Sequence, residues 1–183
     1  MKKIKKIIIP LLVILCIPLF LAGCGSKEAF VASGQNKNGE IWFSTSSSNK
    51  VWGIIYAKGN GFTEYYIKNK PLSDFIGKSN SQVLSIAKKD ASDTEDETFD
   101  AKLVADDNKK VLKEKICSSD SIGDDFLTLV NSDAIVKSNG KTYYGYETKV
   151  DGDKGKLISN SGKQVAFDND KTNNVEQINQ END

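Results

Sequence analysis

The side chains of this sequence that could do chemistry are carboxylates and thiols, because the chain contains no histidine and no arginine. Without histidine it cannot build a Ser-His-Asp or Cys-His catalytic site, or a histidine-ligated zinc site. Two carboxylates in one cleft could still hydrolyse glycosidic bonds, and the candidates are Asp124-Asp125 and Glu64. Adjacent carboxylates in a turn are typically solvated, so we predict no catalytic residue and no enzyme.

Two oxygen-rich segments, Asp151-Gly152-Asp153 and Asp168-Asn169-Asp170, begin like calcium-binding loops. An EF-hand loop requires glycine at its sixth position and a bidentate glutamate at its twelfth. Neither residue type occurs at those positions, whether the count starts at Asp151 or at Asp168. We therefore predict plain turns, no metal site and no cofactor.

The charge balance gives no support for nucleic-acid binding. The chain carries 25 basic and 25 acidic residues, and all of the basic ones are lysine. Bidentate contacts to phosphate or guanine rely on the guanidinium group of arginine. We therefore expect no nucleic-acid partner.

The first residues have the pattern of a secretion signal. Lysines occupy four of the positions 2–6, and an apolar run follows over residues 7–21, interrupted by Pro10 and Pro18. A membrane-spanning helix needs about 20 consecutive apolar residues, and this run is shorter. Residues 1–23 are therefore predicted to be a cleaved signal peptide.

The segment Leu21-Ala22-Gly23-Cys24 closes this run and resembles the lipobox of bacterial lipoproteins. That resemblance implies cleavage before Cys24 and attachment of a diacylglyceryl group to the Cys24 sulfur. Two acyl chains hold a protein stably on a membrane, whereas one holds it only marginally. The expected location is extracytoplasmic, on the outer face of the cell membrane, with the membrane itself as a partner.

Cys117 is the remaining thiol, because Cys16 lies in the signal peptide and Cys24 is predicted to be acylated. It follows the apolar residues of a predicted strand, which indicates a small buried side chain. No intramolecular disulfide is possible in the processed chain. Packing must therefore hold the domain together.

The elements that position these residues are mostly short strands. Runs of β-branched and aromatic residues separated by turn residues predict hairpins, at Ile41–Thr45, Val51–Ala57, Phe62–Ile67, Ala101–Val104, Lys110–Ile116, Ala134–Lys137, Thr142–Glu147, Leu157–Ser159 and Gln164–Phe167. Phe126–Val130 is ambiguous between strand and helix. Ser79 and Gln82 match a capping box, which predicts a helix over 80–89. The acidic segment Asp90–Glu97 is predicted to be a solvated loop.

Together these patterns predict an α+β fold, mainly antiparallel β: a hairpin-rich meander sheet with one inserted helix. The predicted organisation is a signal peptide (1–23), a flexible tether (24–38), one globular β-rich domain (39–167) and a disordered acidic, asparagine-rich tail (168–183). The tail prediction rests on its lack of large apolar residues.

Three aromatic residues on predicted strands, Trp42, Tyr66 and Tyr143, are weak candidates for a binding surface, because exposed rings can stack on sugars. They could equally pack the sheet. The leading functional prediction is a non-enzymatic binding module at the cell surface, with a protein or an envelope polymer as partner. The alternatives are a carrier of a small apolar ligand inside a curled sheet, and a carboxylate-based cell-wall hydrolase.

In size, composition and tether the chain resembles the small surface lipoproteins of Gram-positive bacteria. Its lysine-rich, asparagine-rich usage without arginine is typical of an AT-rich genome. This resemblance transfers no binding site, and it leaves the oligomeric state open.

Overall fold

The computed structural model of the protein describes residues 27–59, 61–105, 111–118, 125–150, 153–168 and 175–177. The strands in these ranges are β1 (Glu40–Ser46), β2 (Lys50–Lys58), β3 (Gly61–Pro71), β4 (Ala91–Glu97), β5 (Phe99–Ala105), β6 (Val111–Ser118), β7 (Asp125–Ser138), β8 (Lys141–Val150), β9 (Asp153–Ser159) and β10 (Val175–Gln177). The helices in the same ranges are α1 (Phe30–Ser33) and α2 (Asn80–Asp90), and a 3-10 turn spans Leu72–Asp74.

All ten of these strands belong to one sheet, in the order β10-β5-β6-β7-β8-β9-β1-β2-β3-β4. Two antiparallel meanders, β1 to β4 and β5 to β9, are joined where β9 pairs with β1. Only β10, at the edge, pairs in parallel within the described part of the sheet. The predicted α+β fold, a mainly antiparallel meander with an inserted helix, is confirmed.

The sheet curls so that its two ends face each other. Strands β3 and β5 lie seven places apart in the strand order, yet the Phe62 and Phe99 rings are 4.9 Å apart, centroid to centroid. The inner face is filled by large side chains, including the α1 residue Phe30 and the β-strand residues Trp42, Ile55, Ile116, Leu129, Tyr146 and Leu157. A second apolar cluster packs the opposite face against α2 and the 3-10 turn.

Helix α2 begins where the sequence predicts. The Ser79 hydroxyl accepts the Gln82 backbone N–H (3.3 Å), and the Gln82 side-chain oxygen accepts the Ser79 backbone N–H (2.9 Å). This reciprocal pair satisfies two backbone donors that the first helical turn leaves without partners. Val83 and Ala87 are the buried residues of the helix and hold it against the sheet.

The prediction of a loop over Asp90–Glu97 is wrong, because residues 91–97 form the edge strand β4. It pairs antiparallel with β3, and its side chains from Ser92 to Asp96 are exposed. Hydrophobic periodicity reports which side chains are buried, so it does not detect a strand whose stability comes from backbone pairing. The charged side chains suit an edge, where they oppose pairing with another chain.

Two strand predictions need correction in detail. Phe126–Val130 and Ala134–Lys137 are parts of the one long strand β7, whose register against β8 shifts twice near its middle. Such shifts bend a strand without ending it. Gln164–Phe167 does not complete a hairpin with β9, since Val165 forms a parallel bridge with Glu28.

The predicted flexible tether over 24–38 is wrong for its second half, because the structure packs residues 28–38 onto the domain. The Phe30 side chain of α1 is fully buried against Trp42, Phe62 and Phe99. Because most residues around Phe30 are small or polar, the sequence pattern of this segment does not predict a buried ring. The domain therefore begins before residue 39.

The predicted disordered tail also begins too early. Asp168 is buried, and residues 175–177 form β10 against β5. The rest of that prediction, over 169–174 and 178–183, lies outside the described residues. So do the predicted signal peptide, Leu21, Ala22, Gly23 and Cys24, and no described helix is long and apolar enough to cross a membrane.

Candidate functional site

The three candidate binding aromatics occupy different environments. Trp42 is fully buried, and its indole N–H donates to the Ser33 hydroxyl over 2.9 Å. Tyr143 is 3 % exposed and packs on the α2 side of the sheet. These two are core residues and offer no ring to a ligand. Tyr66 alone of the three is half-buried, so it stays partly accessible.

The segment that would follow a lipidated Cys24 is fixed to the domain at Glu28. The Glu28 N–H donates to the Gln164 carbonyl, and the Ala166 N–H donates to the Glu28 carbonyl, both over 2.9 Å. The Glu28 carboxylate accepts the hydroxyls of Ser159 (2.7 Å) and Ser161 (2.6 Å). Backbone and side chain together therefore hold this residue in place.

A polar surface depression lies beside Glu28, and we call it the Lys78 depression. It has a volume of about 360 Å³ and is open to solvent. Two loops and the start of β8 line it with Gly77, Lys78, Lys141, Thr142, Tyr143, Asn160, Ser161 and Gly162. The Asn160 amide nitrogen donates to the Lys78 carbonyl (3.1 Å) and to the Asn80 side-chain oxygen (2.9 Å). These bonds fix the loop after β9 to the start of α2.

Charge around the Lys78 depression is mainly positive. Lys78 and Lys141 belong to its lining, and the exposed Lys27 and Lys163 lie in segments next to it. No described residue forms an ion pair or a hydrogen bond with the ammonium groups of Lys78 and Lys141. The Glu28 carboxylate is bonded to one lining residue, Ser161. With its two lysines, the depression could hold an anionic group.

A second group of polar side chains lies on β2, β3 and β4. The Tyr66 hydroxyl donates to a Glu95 carboxylate oxygen over 2.9 Å, and the Tyr66 ring stacks on Trp52 with centroids 6.3 Å apart. Glu64 is the cross-strand neighbour of Glu95. Two glutamates and one phenol therefore lie together near the open edge of the sheet.

Glu64 is buried although it carries a carboxyl group. It is 2 % exposed, and its Oε1 accepts no hydrogen bond from any described residue. A Cβ built on Gly53 would lie 2.5 Å from this oxygen, so the glycine provides the space for it. Burial raises the pKa of Glu64 to about 7; the Tyr66 hydroxyl opposes the rise and the Glu95 carboxylate adds to it.

The chemistry available to this second group is limited by access. A carboxylic acid with a pKa near 7 can donate and accept a proton at neutral pH. A substrate must come within hydrogen-bond distance of that acid, and the burial of Glu64 prevents this in the structure. Phe62 and Glu64 are two residues apart on β3, so their side chains lie on the same face of the sheet. This spacing is the sequence signal that places Glu64 on the inner face.

A third group of polar side chains contains two buried carboxyl groups and joins the C-terminal segment to α1. Asp168 accepts the N–H groups of Val31 (3.0 Å) and Ala32 (2.7 Å), and its own N–H donates to a Glu114 carboxylate oxygen (3.0 Å). Burial and the neighbouring Asp168 carboxylate raise the pKa of Glu114. These contacts stabilise the fold, and sequence reasoning missed them because Asp168 lies in the predicted tail.

The other carboxylates considered from the sequence do not form a site in the described structure. Asp124, Asp151 and Asp170 lie outside the described residues, as does the side chain of Asp125. No three Asp, Glu or Cys side chains within the described ranges lie close enough together to bind a metal ion. Cys117 is half-buried on β6, so it is less buried than we expect from its apolar neighbours.

Comparisons of the chain with protein-family models, with curated proteins and with solved structures find no match. The function of the protein is therefore inferred from its own residues. Two features carry that inference: the fixed position of Glu28 and the polar depression beside it.

Proposed function

We propose that the protein is an extracytoplasmic lipoprotein, held on the outer face of the cell membrane by a diacylglyceryl group on Cys24. Its folded part is a non-enzymatic binding module that works close to that membrane. The partner is a component of the cell envelope or a protein at the cell surface. Within this proposal, Cys24 is the residue for membrane attachment, and no residue is named for contact with the partner.

The observation that carries this proposal is the position of Glu28. The described fold starts at Lys27, so cleavage before Cys24 removes none of the described residues. Glu28 is bonded into the domain only four residues after Cys24. A lipid on Cys24 would thus hold a complete domain, with almost no free chain between the two.

The two alternative functions have less structural support. A carrier of an apolar ligand needs space inside the curled sheet, where Phe30, Trp42 and Tyr146 pack. A carboxylate hydrolase needs two acids that reach one substrate, but Glu64 is buried beneath its neighbours. A binding role requires neither an internal cavity nor a pair of accessible acids. It requires an accessible surface, and the Lys78 depression is part of such a surface.

The membrane attachment is tested by fractionating cells of the native host that express the wild type or Cys24→Ala. We expect the wild type in the membrane fraction, with an intact mass that corresponds to a chain starting at Cys24 plus the lipid. The Cys24→Ala variant should be released or remain unprocessed. Cys117→Ala is the matched control, since it removes a thiol without touching the lipobox.

Crosslinking of intact cells then identifies the partner of the lipidated wild type. If the wild type appears in the medium without lipid, or retains residues 1–23, the proposed function is wrong. The same conclusion follows if Cys24→Ala is processed and membrane-bound like the wild type.

A further inference from the structure

The distance between the lipid and the domain is short enough to decide which surface faces the membrane. Glu28 lies four positions after Cys24, and an extended chain spans at most about 3.6 Å per position, or about 14 Å in all. The headgroup layer itself is roughly 5–7 Å thick on each side of a bilayer. Because Glu28 is fixed to the fold, the surface around it must lie on or near the headgroups.

The Lys78 depression belongs to that surface. One of its lining residues, Ser161, donates its hydroxyl to the Glu28 carboxylate over 2.6 Å. The loop 160–162 therefore connects the attachment point directly to the depression. Its volume of about 360 Å³ falls in the range of small-ligand sites, roughly 300–1,000 Å³.

The charges of this surface suit an anion. Lys27, Lys78, Lys141 and Lys163 supply four ammonium groups, against the carboxylates of Glu28 and Glu40. Glu28 is already bonded to two serine hydroxyls, and Glu40 is half-buried and accepts the Asn36 amide. The lysines of the lining form no ion pair within the described structure.

Resting on the proposed lipid anchor, we propose that the Lys78 depression binds the phosphate of an anionic phospholipid headgroup in the same membrane. Lys78 and Lys141 contact the phosphate oxygens, and Thr142 lies next to Lys141 in the lining for contact with a hydroxylated headgroup. The second attachment orients the domain, because one covalent attachment at Cys24 does not by itself fix the rotation of the domain about that point. The surface on the opposite side is then presented to the partner.

Each lysine near an anionic surface contributes about 1 kcal/mol, so two lysines correspond to about thirtyfold in affinity. Binding through the depression alone is therefore weak. It becomes effective because the lipid on Cys24 keeps the site at a high local headgroup concentration.

The test uses residues 24–183 with Cys24→Ser, which keeps every described contact and cannot be acylated. We would measure its sedimentation with phosphatidylcholine vesicles and with vesicles of equal parts phosphatidylcholine and phosphatidylglycerol. We expect binding only to the second kind. Lys78→Gln/Lys141→Gln should lower the partition coefficient about thirtyfold, and Lys78→Arg/Lys141→Arg should retain binding.

The matched control is Lys50→Gln/Lys154→Gln, which removes the same charge at the start of β2 and near the start of β9. Lys154 is six residues along the chain from Asn160, about 20 Å in a strand, which exceeds the Debye length of about 8 Å at physiological salt. We expect less than a twofold change. Equal losses in both double variants would show general electrostatic attraction and would overturn the proposal.

The phosphate group that binds the depression could belong to a membrane phospholipid or to a soluble molecule. An experiment with free glycerol 3-phosphate distinguishes these two sources. If millimolar glycerol 3-phosphate perturbs the NMR signals of Gly77 and Gly162 and displaces the protein from vesicles, the site recognises the phosphate group as proposed. Perturbation by glycerol 3-phosphate without vesicle binding would assign the site to a soluble ligand and refute the membrane contact. Because this protein carries no lipid, a negative result leaves the Cys24 fractionation experiment unaffected.

Discussion

The burial of Glu64 has a measurable effect on the pH dependence of stability. An unfolded glutamate has a pKa of 4.5, and burial raises the folded value to about 7. The folded state therefore binds a proton that the unfolded chain releases between these two values. Because the folded pKa of Glu64 is raised, the contribution of this proton to stability is fully present below pH 4.5. That contribution is lost as the pH rises to about 7.

The magnitude follows from the size of the shift. Each pKa unit corresponds to 1.36 kcal/mol, so the change from pH 4 to pH 8 is about 3 kcal/mol. No large reduction for solvent screening applies, because Glu64 is only 2 % exposed. Substitution Glu64→Gln keeps the shape of the side chain and removes the titration. From pH 4 to pH 8, the unfolding free energy of the variant should rise by about 3 kcal/mol relative to that of the wild type.

The assay is urea unfolding followed by tryptophan fluorescence at several values between pH 4 and pH 8. The readout is the difference between the two unfolding free energies at each pH, so other titrating groups such as Glu114 cancel. Glu147→Gln, at an exposed position on β8, is the matched control and should give a constant difference from the wild type. A constant difference for Glu64→Gln as well would refute the assignment of the titration to Glu64.

Two further predictions concern packing and capping. Gly145→Ala should destabilise the domain by about 3 kcal/mol or more, because its Cβ would lie 2.1 Å from the Leu157 carbonyl oxygen. Gly61→Ala has no atom closer than 3.8 Å and should change thermal stability by less than about 0.5 kcal/mol; similar losses in both variants would contradict the close approach. Asp168→Ala removes the acceptor of two N–H groups in α1 and should cost about 2–4 kcal/mol in urea unfolding. Asp168→Asn keeps one acceptor oxygen and should lose about half as much, whereas an unchanged stability of Asp168→Ala would contradict the capping role.

Most strands and the helix α2 could be predicted from the sequence because their signals are local. Runs of β-branched and aromatic residues, such as Val51–Ala57 and Phe62–Ile67, favour strands, and the Ser79 and Gln82 side chains interact within one helical turn. Strand β4 lacked such a signal, since its side chains are polar throughout. It is held by backbone hydrogen bonds to β3, and helix α2 lies between the two strands in the sequence.

Local sequence patterns predict the class of fold, the hairpin meanders and the lipid attachment at Cys24. Each of these depends on residues close together in the chain. The pairing of β9 with β1 is visible only in the folded structure, as are the curl that buries Trp42 and the position of Glu28 beside the Lys78 depression. The pairing of β9 with β1 and the contacts beside the depression bring together residues that are 80 or more positions apart, such as Asn160 and Lys78. Contacts at that separation depend on how the whole sheet closes, so no local pattern of residue types can specify them.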